Sequence, residues 1–294
     1  MENNSNFIDR SPFLHKVYHE SFLSGPLHKV KQFCIYIKYK TIAAKQYLTT
    51  IPRALGYDDK RFIPLRECRN KFKGKRCFIT CTGPSLTIED LEKLGNEYVF
   101  GMNSICLIHD KTEWKPDFYG IQDVLVYDKL KDSILSTDNG VVFAPYWFRK
   151  HRETPSEWIY WHMCGKYHYY EMIYPKRFFA KYSNDCYVRV YDGFSITYSI
   201  IQLATYMGFD EIYLLGADCT YMGKQHHFIE TGVVDPGYKE ASDRLFASYG
   251  EAKRYAEANG IKIYNATRGG CLELFERVDL DEIVVNNRKN KVSD

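Results

Sequence analysis

The loop at Gly216–His227, with the sequence G-A-D-C-T-Y-M-G-K-Q-H-H, carries side chains suited to acid–base chemistry. It follows the apolar run EIYLLG at Glu211–Gly216, which predicts a strand buried in a parallel sheet. Histidine has an unperturbed pKa of about 6.5, so it can accept or donate a proton near neutrality. We therefore predict His226 or His227 as a general base, and Lys224 as a group that neutralises phosphate charge.

Two alternatives for this loop stay open. It could be a hydrophilic surface loop without chemistry, and neighbouring histidines also occur in zinc sites. Zinc is disfavoured because the loop contains neither a C-x-x-C motif nor two histidines four residues apart. We predict no metal-binding residue.

Small and polar residues also follow several other predicted strands. Because the carboxyl ends of parallel strands meet at one edge of an open α/β sheet, residues at these ends are candidates for ligand binding. Small residues let the backbone approach a ligand and donate N–H groups to phosphate oxygens. The candidate positions are Thr82, Gly83, Pro84 and Ser85 after one strand, Asn103 after the next, Asp123 after a third, Gly193 and Ser195 before a helix, and Gly216 after a later strand.

On its own, the T-G-P-S motif at Thr82–Ser85 is a weak signal. It lacks the second and third glycines of the dinucleotide fingerprint and the Lys-Ser/Thr of the P-loop. The alternative is an ordinary strand-to-helix turn that needs a glycine and a helix cap. The coincidence of several such strand ends in one chain favours a nucleotide-type ligand.

A sheet is needed to bring these residues together, and the pattern of the chain predicts one. The predicted strands cover 76–81, 98–103, 117–123, 141–144, 211–216 and 261–265. The predicted helices cover 195–207, 239–259 and 271–285, with Thr87 as the cap of a further helix. Strands that alternate with helices predict an α/β fold, a Rossmann-like doubly wound, mostly parallel sheet with an N-terminal amphipathic helical segment.

Three parts are predicted along the chain. Residues 1–57 form a basic amphipathic helical segment, residues 58–75 a linker, and residues 76–294 the Rossmann-like nucleotide-binding catalytic domain. Within this domain, the aromatic-rich region 146–191 has weak periodicity, which predicts a mobile or inserted region rather than sheet core. Its aromatic side chains are candidates for acceptor binding.

The N-terminal segment has an uneven charge. Residues 21–57 include six Lys and Arg but no Asp or Glu, while Val30, Phe33 and Ile37 recur at helical spacing. A basic amphipathic helix is typical of anionic membrane surfaces, so this segment is a candidate peripheral membrane contact. The alternative is a helix packed on the domain with solvated lysines on its outer face.

The composition limits the class of protein. The chain has 294 residues with 40 Lys+Arg against 37 Asp+Glu, and the net charge of +3 is too small to predict nucleic-acid binding. Hydrophobic residues make up 45% of the chain, which excludes disordered and collagen-like classes. The polar N-terminus does not resemble a signal peptide, and the nine cysteines show no C-x-x-C spacing. These features predict a cytoplasmic protein with reduced thiols.

Several motifs together resemble a known family. They are T-G-P-S-L at 82–86 with Asn103 and Asp123 downstream, D-G-F-S at 192–195, G-A-D-C-T-Y-M-G-K-Q-H at 216–226 and Y-N-A-T-R-G-G at 264–270. This order resembles the 6-hydroxymethylpterin diphosphokinase MptE-like family, which includes motility-associated flagellin glycosyltransferases. The resemblance covers roughly residues 76–285. More distantly, the same elements resemble bacterial lipooligosaccharide sialyltransferases.

The resemblance implies an activated nucleotide held at the strand ends. The implied contacts are phosphates near Gly83–Ser85, a nucleotide bordered by Asn103 and Asp123 and held by Gly193–Ser195, and a reaction centre lined by Asp218 and Tyr221. His226 is similar to the histidine of the family's G-K-x-H element. Ala217 departs from the family, which often has glutamine there, and the sialyltransferases carry their general-base histidine in another loop.

The leading functional hypothesis is a glycosyltransferase, in which a base deprotonates the acceptor while the sugar leaves its nucleotide. The D-x-D pair of Asp279 and Asp281 lies in a predicted helix, which favours a metal-independent donor such as a CMP-linked acid sugar. The expected partners are a nucleotide-activated sugar and a glycan or lipid-linked acceptor. No resident cofactor is expected, and the expected location is cytoplasmic, with peripheral contact at the inner face of the cytoplasmic membrane.

Two other functions stay open. An ATP-dependent diphosphokinase acting on a pterin-type alcohol would need Mg²⁺ and acidic ligands, for which Asp123 and Asp218 are available. A non-catalytic nucleotide-binding protein would keep the fold but lack a base or polar strand ends.

Overall fold

The structure, a computed structural model, describes residues 24–174, 176–220, 228–229 and 241–285. The strands are β1 (Arg76–Thr80), β2 (Tyr98–Met102), β3 (Phe118–Gly120), β4 (Val141–Pro145), β5 (Ile159–Trp161), β6 (Met163–Cys164), β7 (Val190–Tyr191), β8 (Glu211–Leu215), β9 (Lys262–Asn265) and β10 (Glu276–Arg277). The helices are α1 (Ser24–Leu48), α2 (Ile51–Ala54), α3 (Ile63–Glu67), α4 (Ile88–Glu92), α5 (Val124–Ser136), α6 (Phe148–His151), α7 (Tyr170–Ile173), α8 (Ile196–Met207), α9 (Ala241–Asn259) and α10 (Leu280–Val285). Two 3-10 helices cover Lys60–Phe62 and Asn103–Leu107.

The main sheet is a doubly wound parallel sheet. Within the described ranges, its eight strands lie in the order β10-β9-β8-β1-β2-β3-β4-β5, and every pair of neighbours is parallel. From β1 the chain proceeds outward in one direction to β5 and then returns to β8 on the other side of β1. The direction of winding therefore reverses between β1 and β8, which confirms the predicted Rossmann-like α/β fold.

The two strands at this reversal are buried because both faces of the sheet are covered. Phe78 and Ile79 of β1 are fully buried, and they lie beside Tyr213 and Leu214 of β8 in register. A strand covered on both faces favours a continuous apolar run over an alternating one, and both strands have such runs. This is why the sequence predicted both strands to within a residue.

Helix termini follow the expected local signals. Thr87 and Asp90 form a capping box at the start of α4, with the Thr87 side chain accepting from the Asp90 amide at 3.2 Å. Ser195 caps α8 by accepting from the Thr197 amide at 3.2 Å, and Gly208 ends this helix in the left-handed conformation at φ 96°.

The segment 58–75 was expected to be a linker, and the structure corrects this. It contains a 3-10 helix and α3, and the side chains of Phe62 and Leu65 are buried. The Phe62 ring lies 5.3 Å from the Tyr146 ring, so the segment packs against the end of β4. Its helical pieces are too short for their periodicity to stand out in the sequence.

The interpretation of region 146–191 as an insertion outside the sheet core was wrong. Its strand β5 forms the edge of the main sheet, and Trp158, Tyr160 and Trp161 are buried. Strands β6 and β7 form a second, two-stranded parallel sheet. Strands of two or three residues are too short to show a period, so the region gave no strand signal. Much of the aromatic excess therefore forms core.

The expected helix over 271–285 is also corrected. The helical part is confined to α10, and the preceding β10 pairs with β9, with Glu276 beside Tyr264 and Arg277 beside Asn265. Both residues of β10 are exposed and charged, so the strand has no apolar pattern that a sequence could reveal.

Helix α1 confirms that the N-terminal segment is helical in its described part. It spans 25 residues and is largely exposed, with Ala43 its buried apolar residue among those described. Within the described part of the chain, no helix combines the length and the apolar character needed to cross a membrane.

Candidate active site

A cleft opens at the carboxyl ends of β1 and β8, where the winding of the sheet reverses. Its empty volume is about 550 Å³, open solvent at the mouth included. The lining residues are Cys81, Thr82, Gly83, Met102, Asn103, Ser195, Ile196, Thr197, Gly216, Ala217, Asp218, Cys219, Thr220, Leu245 and Tyr249. The structure thus brings together six of the predicted site residues from four separate turns: Thr82, Gly83, Asn103, Ser195, Gly216 and Asp218.

Asp218 lies where the turns after β1 and β8 meet. Its Oδ2 accepts hydrogen bonds from the Ser85 hydroxyl at 2.9 Å and from the Ser85 amide at 3.3 Å. The Gly83 amide donates to the Gly216 carbonyl at 2.9 Å. The T-G-P-S turn therefore orients a buried carboxylate, and these donors of Gly83 and Ser85 are used within the protein.

Glycine is required at both contact points of these turns. A Cβ on Gly83 would lie 2.0 Å from Oδ2 of Asp218 and 2.3 Å from the Gly216 carbonyl oxygen. Gly216 itself has φ +63°, and a Cβ there would lie 2.5 Å from the Cys81 carbonyl oxygen. The two turns pack so closely that a side chain at either glycine would separate them.

The motif Y-N-A-T-R-G-G at 264–270 contacts the backbone that carries this carboxylate. The Thr267 hydroxyl accepts from the Ala217 amide at 2.9 Å, and the Asp218 carbonyl accepts from the Cys271 amide at 2.8 Å. Gly270 has φ +73°, and a Cβ there would lie 2.6 Å from the Asp218 carbonyl oxygen. This motif positions Asp218.

Asn103 presents an unsatisfied acceptor in the cleft. It has φ +47°, a left-handed conformation that asparagine tolerates better than most residues. Its backbone carbonyl accepts from the Tyr119 hydroxyl at 2.5 Å, whereas its side-chain Oδ1 is buried without a hydrogen-bond partner among the described residues. A buried acceptor without a partner is costly, so a ligand that donates here would gain affinity.

The N-terminus of α8 forms another wall of the cleft. Ser195, Ile196 and Thr197 line it, and the positive end of this 12-residue helix favours a negatively charged group. Gly193 acts by packing, since a Cβ there would lie 2.2 Å from the Tyr198 ring. Glycine at this position lets the backbone pass close to Tyr198 just before α8 begins.

Two thiols in the cleft are unsuited to nucleophilic chemistry. Burial raises the pKa of Cys81 and of Cys219 to about 12. Both side chains therefore stay protonated at neutral pH, and a thiol is a weak nucleophile compared with a thiolate.

Beside the cleft lies a His–Asp pair that the sequence did not reveal. Nδ1 of His168 lies 2.9 Å from Oδ2 of Asp192, and Oδ1 of Asp192 accepts from the Phe194 amide at 3.0 Å and from Nε2 of Gln122 at 3.5 Å. Burial alone would lower the pKa of His168, but the Asp192 carboxylate outweighs it, and the net shift is upward. Burial alone would raise the pKa of Asp192, and His168 reverses that shift as well.

A strained turn lies between this pair and the wall of the cleft, and neither His168 nor Asp192 lines the cleft itself. Phe194 has φ +69°, which is unfavourable for a bulky side chain, and its ring lies 4.6 Å from the His168 ring. The next residue, Ser195, lines the cleft. A histidine with one ring nitrogen next to a carboxylate is a recurrent arrangement for a general base. The only sequence signal was the D-G-F-S motif; His168 lies 24 residues upstream in the region without periodicity.

Two predicted acidic features have other roles. Oδ1 of Asp123 accepts from the amides of Leu125 at 2.7 Å and Val126 at 3.3 Å, so Asp123 is the exposed N-cap of α5 and does not line the cleft. In the D-x-D pair, Asp279 accepts from two amides at the start of α10, while Asp281 forms an ion pair with Lys93 at 2.7 Å. Neither carboxylate lines the cleft.

The remaining predicted residues lie outside the described part of the chain. They are Tyr221, Lys224, His226 and His227. The described residue that follows them, Phe228, donates its amide to the Thr82 carbonyl at 2.7 Å. Among the described residues, no group of three or more His, Cys, Asp or Glu could hold a metal ion.

A family model described as 6-hydroxymethylpterin diphosphokinase MptE-like matches residues 59–224, which is more than half of the chain. The chain belongs to this MptE-like family. The matched span runs from the segment before β1 to the loop after β8, and so includes Thr82–Ser85, Asn103 and Asp218. The resemblance predicted from the motifs is confirmed. A search among curated proteins finds no match to the chain.

Solved structures provide distant likenesses of the MptE-like chain. It is similar to the sialyltransferase CstII from Campylobacter jejuni in complex with cytidine-5′-monophosphate, at 15% identity and a TM-score of 0.43, covering 70% of this chain and 85% of that chain. It is also similar to the MAf glycosyltransferase from Magnetospirillum magneticum AMB-1, at 15% identity and a TM-score of 0.43, covering 75% of this chain and 38% of that chain. The fold assignment rests on the strand order, independently of these likenesses.

Proposed function

We propose that the chain is a glycosyltransferase that moves a sugar from a nucleotide-activated donor to a cell-envelope glycan acceptor. The observation that carries the proposal is a cleft where the winding of the sheet reverses, beside a histidine whose Nδ1 lies 2.9 Å from a buried carboxylate. Nucleotides bind α/β sheets at the point where the winding reverses, which is where this cleft lies. The His168–Asp192 pair would supply the base that an acceptor hydroxyl requires.

The walls of the cleft suit a nucleotide donor. A phosphate beside Ser195 and Thr197 would benefit from the dipole at the start of α8. The Oδ1 atom of Asn103 would accept a hydrogen bond from an amino or hydroxyl group of the nucleoside. Asp218, held by Ser85, would accept from hydroxyl groups of the sugar.

In the proposed reaction, Nε2 of His168 takes the proton of the acceptor hydroxyl while Nδ1 faces Asp192. The acceptor oxygen forms a bond to the anomeric carbon, and the bond from that carbon to the nucleotide phosphate breaks. The electron pair of the broken bond stays on the phosphate, where the N-terminus of α8 stabilises the charge. His226, His227, Tyr221 and Lys224 stay sequence-based candidates for this centre.

We propose further that transfer needs no resident metal or cofactor, as expected for a CMP-linked acid sugar. The described carboxylates near the cleft already face protein donors: Asp218 faces Ser85, Asp192 faces His168, and Asp123 caps α5. Magnesium prefers several oxygen ligands in octahedral geometry, and these carboxylates are not arranged in that way. This donor set does not fit a magnesium site.

The family description favours a second candidate function, an ATP-dependent diphosphokinase acting on a pterin-type alcohol. Such a reaction would bring magnesium with the ATP, and the same cleft would hold the triphosphate. The arrangement of the described carboxylates favours glycosyl transfer over this candidate.

The test is turnover with a panel of CMP-linked and other sugar nucleotides, measured as release of the nucleotide in the presence of glycan acceptors and a metal chelator. We expect release with at least one donor, and a loss of about 100-fold or more in His168→Gln, since general-base catalysis contributes that much. His109→Gln is the matched control, because His109 pairs with Asn139 away from the cleft. Turnover that requires ATP, a pterin alcohol and magnesium would overturn the proposal.

A further inference from the structure

Helix α1 attaches to the protein through one side of its C-terminal half. The Gln46 side chain accepts from the Gly165 amide at 3.0 Å and donates to the Tyr169 hydroxyl at 3.3 Å. The hydroxyls of Tyr47 and Tyr191 lie 2.6 Å apart. These contacts hold the helix against the segment that carries His168, so α1 is fixed relative to the cleft.

The opposite side of α1 carries large apolar side chains that face solvent. Val30 is 60% exposed, Phe33 63%, Ile37 46% and Leu48 64%. With 3.6 residues per turn, these positions share one side of the helix, away from the side of Gln46. We call Val30, Phe33, Ile37 and Leu48 the outer stripe. The predicted apolar face of the segment therefore does not pack on the domain.

Lysines border the outer stripe on both sides. Helical spacing places Lys38 and Lys45 along one border and Lys29 along the other, and all three are exposed. Residues 21–57 contain no acidic side chain. Long lysine side chains can reach from the border of an apolar stripe to phosphate groups above it while their methylenes cover apolar surface.

We propose that the outer stripe of α1 binds the surface of an anionic lipid membrane, with the apolar side chains among the acyl chains and the lysines on the lipid phosphates. An apolar stripe bordered by cations is the pattern of helices that lie in the plane of a membrane interface. Each basic residue near an anionic surface adds to the attraction.

The charge of the helix favours a lipid surface over a second copy of the chain. Two such helices side by side would bring together ten lysines, with no acidic residue of the same helices to offset them. An anionic bilayer offers both the apolar layer and the negative charge. Docking in this way would also fix the cleft at the membrane, because the inner side of α1 contacts the segment of Tyr169 and His168.

The test is sedimentation of the full chain with vesicles of phosphatidylcholine and phosphatidylglycerol in about a 7:3 ratio, and with vesicles of phosphatidylcholine alone. We expect binding to the anionic vesicles to be weakened about 100-fold in the double variant Phe33→Ser/Ile37→Ser. The variant Lys29→Gln/Lys38→Gln/Lys45→Gln should lose a similar factor, and added salt should weaken binding of the unaltered chain.

The matched control is Leu125→Ser/Leu135→Ser, which replaces two leucines of α5 that are 64% and 50% exposed. It should bind anionic vesicles like the unaltered chain, and equal unfolding curves would show that all variants are folded. Equal sedimentation of the stripe variant and the control would overturn the proposal. So would a dimer in analytical ultracentrifugation that Phe33→Ser/Ile37→Ser abolishes without any effect on vesicle binding. These measurements do not depend on which reaction the cleft performs.

Discussion

Asp218 shows how single residues determine the geometry of the cleft. Its carboxylate accepts from Ser85, its carbonyl accepts from Cys271, and glycines 83 and 270 make room for it. These contacts join the turn of Asp218 to two other turns that are far from it in the sequence. The residue types at each turn were predictable as small and polar, but the sequence could not show that Ser85 would donate to a carboxylate rather than to a phosphate.

Gly83→Ala should destabilise the protein and weaken ligand binding together. The new methyl group would lie 2.3 Å from the Gly216 carbonyl oxygen, so the two turns must separate, at a cost of about 1–3 kcal/mol. Gly250→Ala is the matched control, because a Cβ added to that glycine of α9 would meet no atom within 4 Å beyond the adjoining residues and backbone of its own helix. In urea unfolding, the control should be more stable than the unaltered chain by up to about 1 kcal/mol. Equal stability of the two variants would contradict this account of the turns.

The His168–Asp192 pair predicts a specific pH dependence. The base must be neutral, and Asp192 raises the pKa of His168, so kcat/KM should rise with pH through a value above the usual 6.5. Burial lowers the pKa of His168, and the Asp192 carboxylate raises it. Asp192→Asn removes the carboxylate charge, so that only the effect of burial remains. The acidic limb of the profile should then move to lower pH, and the maximal rate should fall. An unchanged limb, measured between about pH 5 and pH 9, would rule out His168 as the base.

At the scale of elements, the long buried strands were predictable and the short or aromatic ones were not. β1 and β8 show continuous apolar runs because both faces of the sheet are covered. β5 has three residues and β10 has two, which is too few to show the alternation of a strand in the sequence. The apolar spacing of α1 was visible in the sequence, but which side packs depends on Gln46 and Tyr47, which no periodicity identifies.

Short elements around the sheet depend on buried charge pairs. Arg53 of α2 has a side chain only 1% exposed, and it donates to Asp59 at 2.8 Å and to the Val188 carbonyl at 2.8 Å. Hydrogen bonds from Arg61 and Arg53 lower the pKa of Asp59 to about 2, against the effect of burial. This network fastens the segment between α1 and β1 to the loop before β7.

Asp59→Asn should therefore destabilise the protein by about 3 kcal/mol, because it leaves the Arg53 charge buried without a counter-charge. The neighbouring substitution Asp58→Asn is the control. Asp58 pairs with Arg66 at the surface, where both side chains are well exposed, so its loss should cost less than about 1 kcal/mol. Chemical denaturation at neutral pH measures both values. Similar costs for the two substitutions would show that the Arg53 pair does not stabilise this segment.

For the whole molecule, the strand order explains why six of the predicted site residues line one cleft. The turn after β1 and the turn after β8 are separated by more than 130 residues in the chain, yet β1 and β8 are neighbours in the sheet. The rule for parallel sheets was sufficient to predict that meeting. It was not sufficient for His168, because the side sheet β6–β7 that carries Asp192 at its end does not belong to the main sheet.

The central claim is that the cleft between β1 and β8 binds the nucleotide of a sugar donor. The most direct measurement is the thermal unfolding of the full chain with CMP, with CMP-linked and other sugar nucleotides, and with ATP plus a pterin alcohol and magnesium. At about 100 times the dissociation constant, a sugar nucleotide or its nucleotide should raise Tm by about 5 °C. Asn103→Ala should lose most of that shift, because it removes the buried acceptor. A rise in Tm with ATP but with none of the sugar nucleotides would contradict the account. So would a sugar nucleotide that raises the Tm of Asn103→Ala as much as that of the unaltered chain.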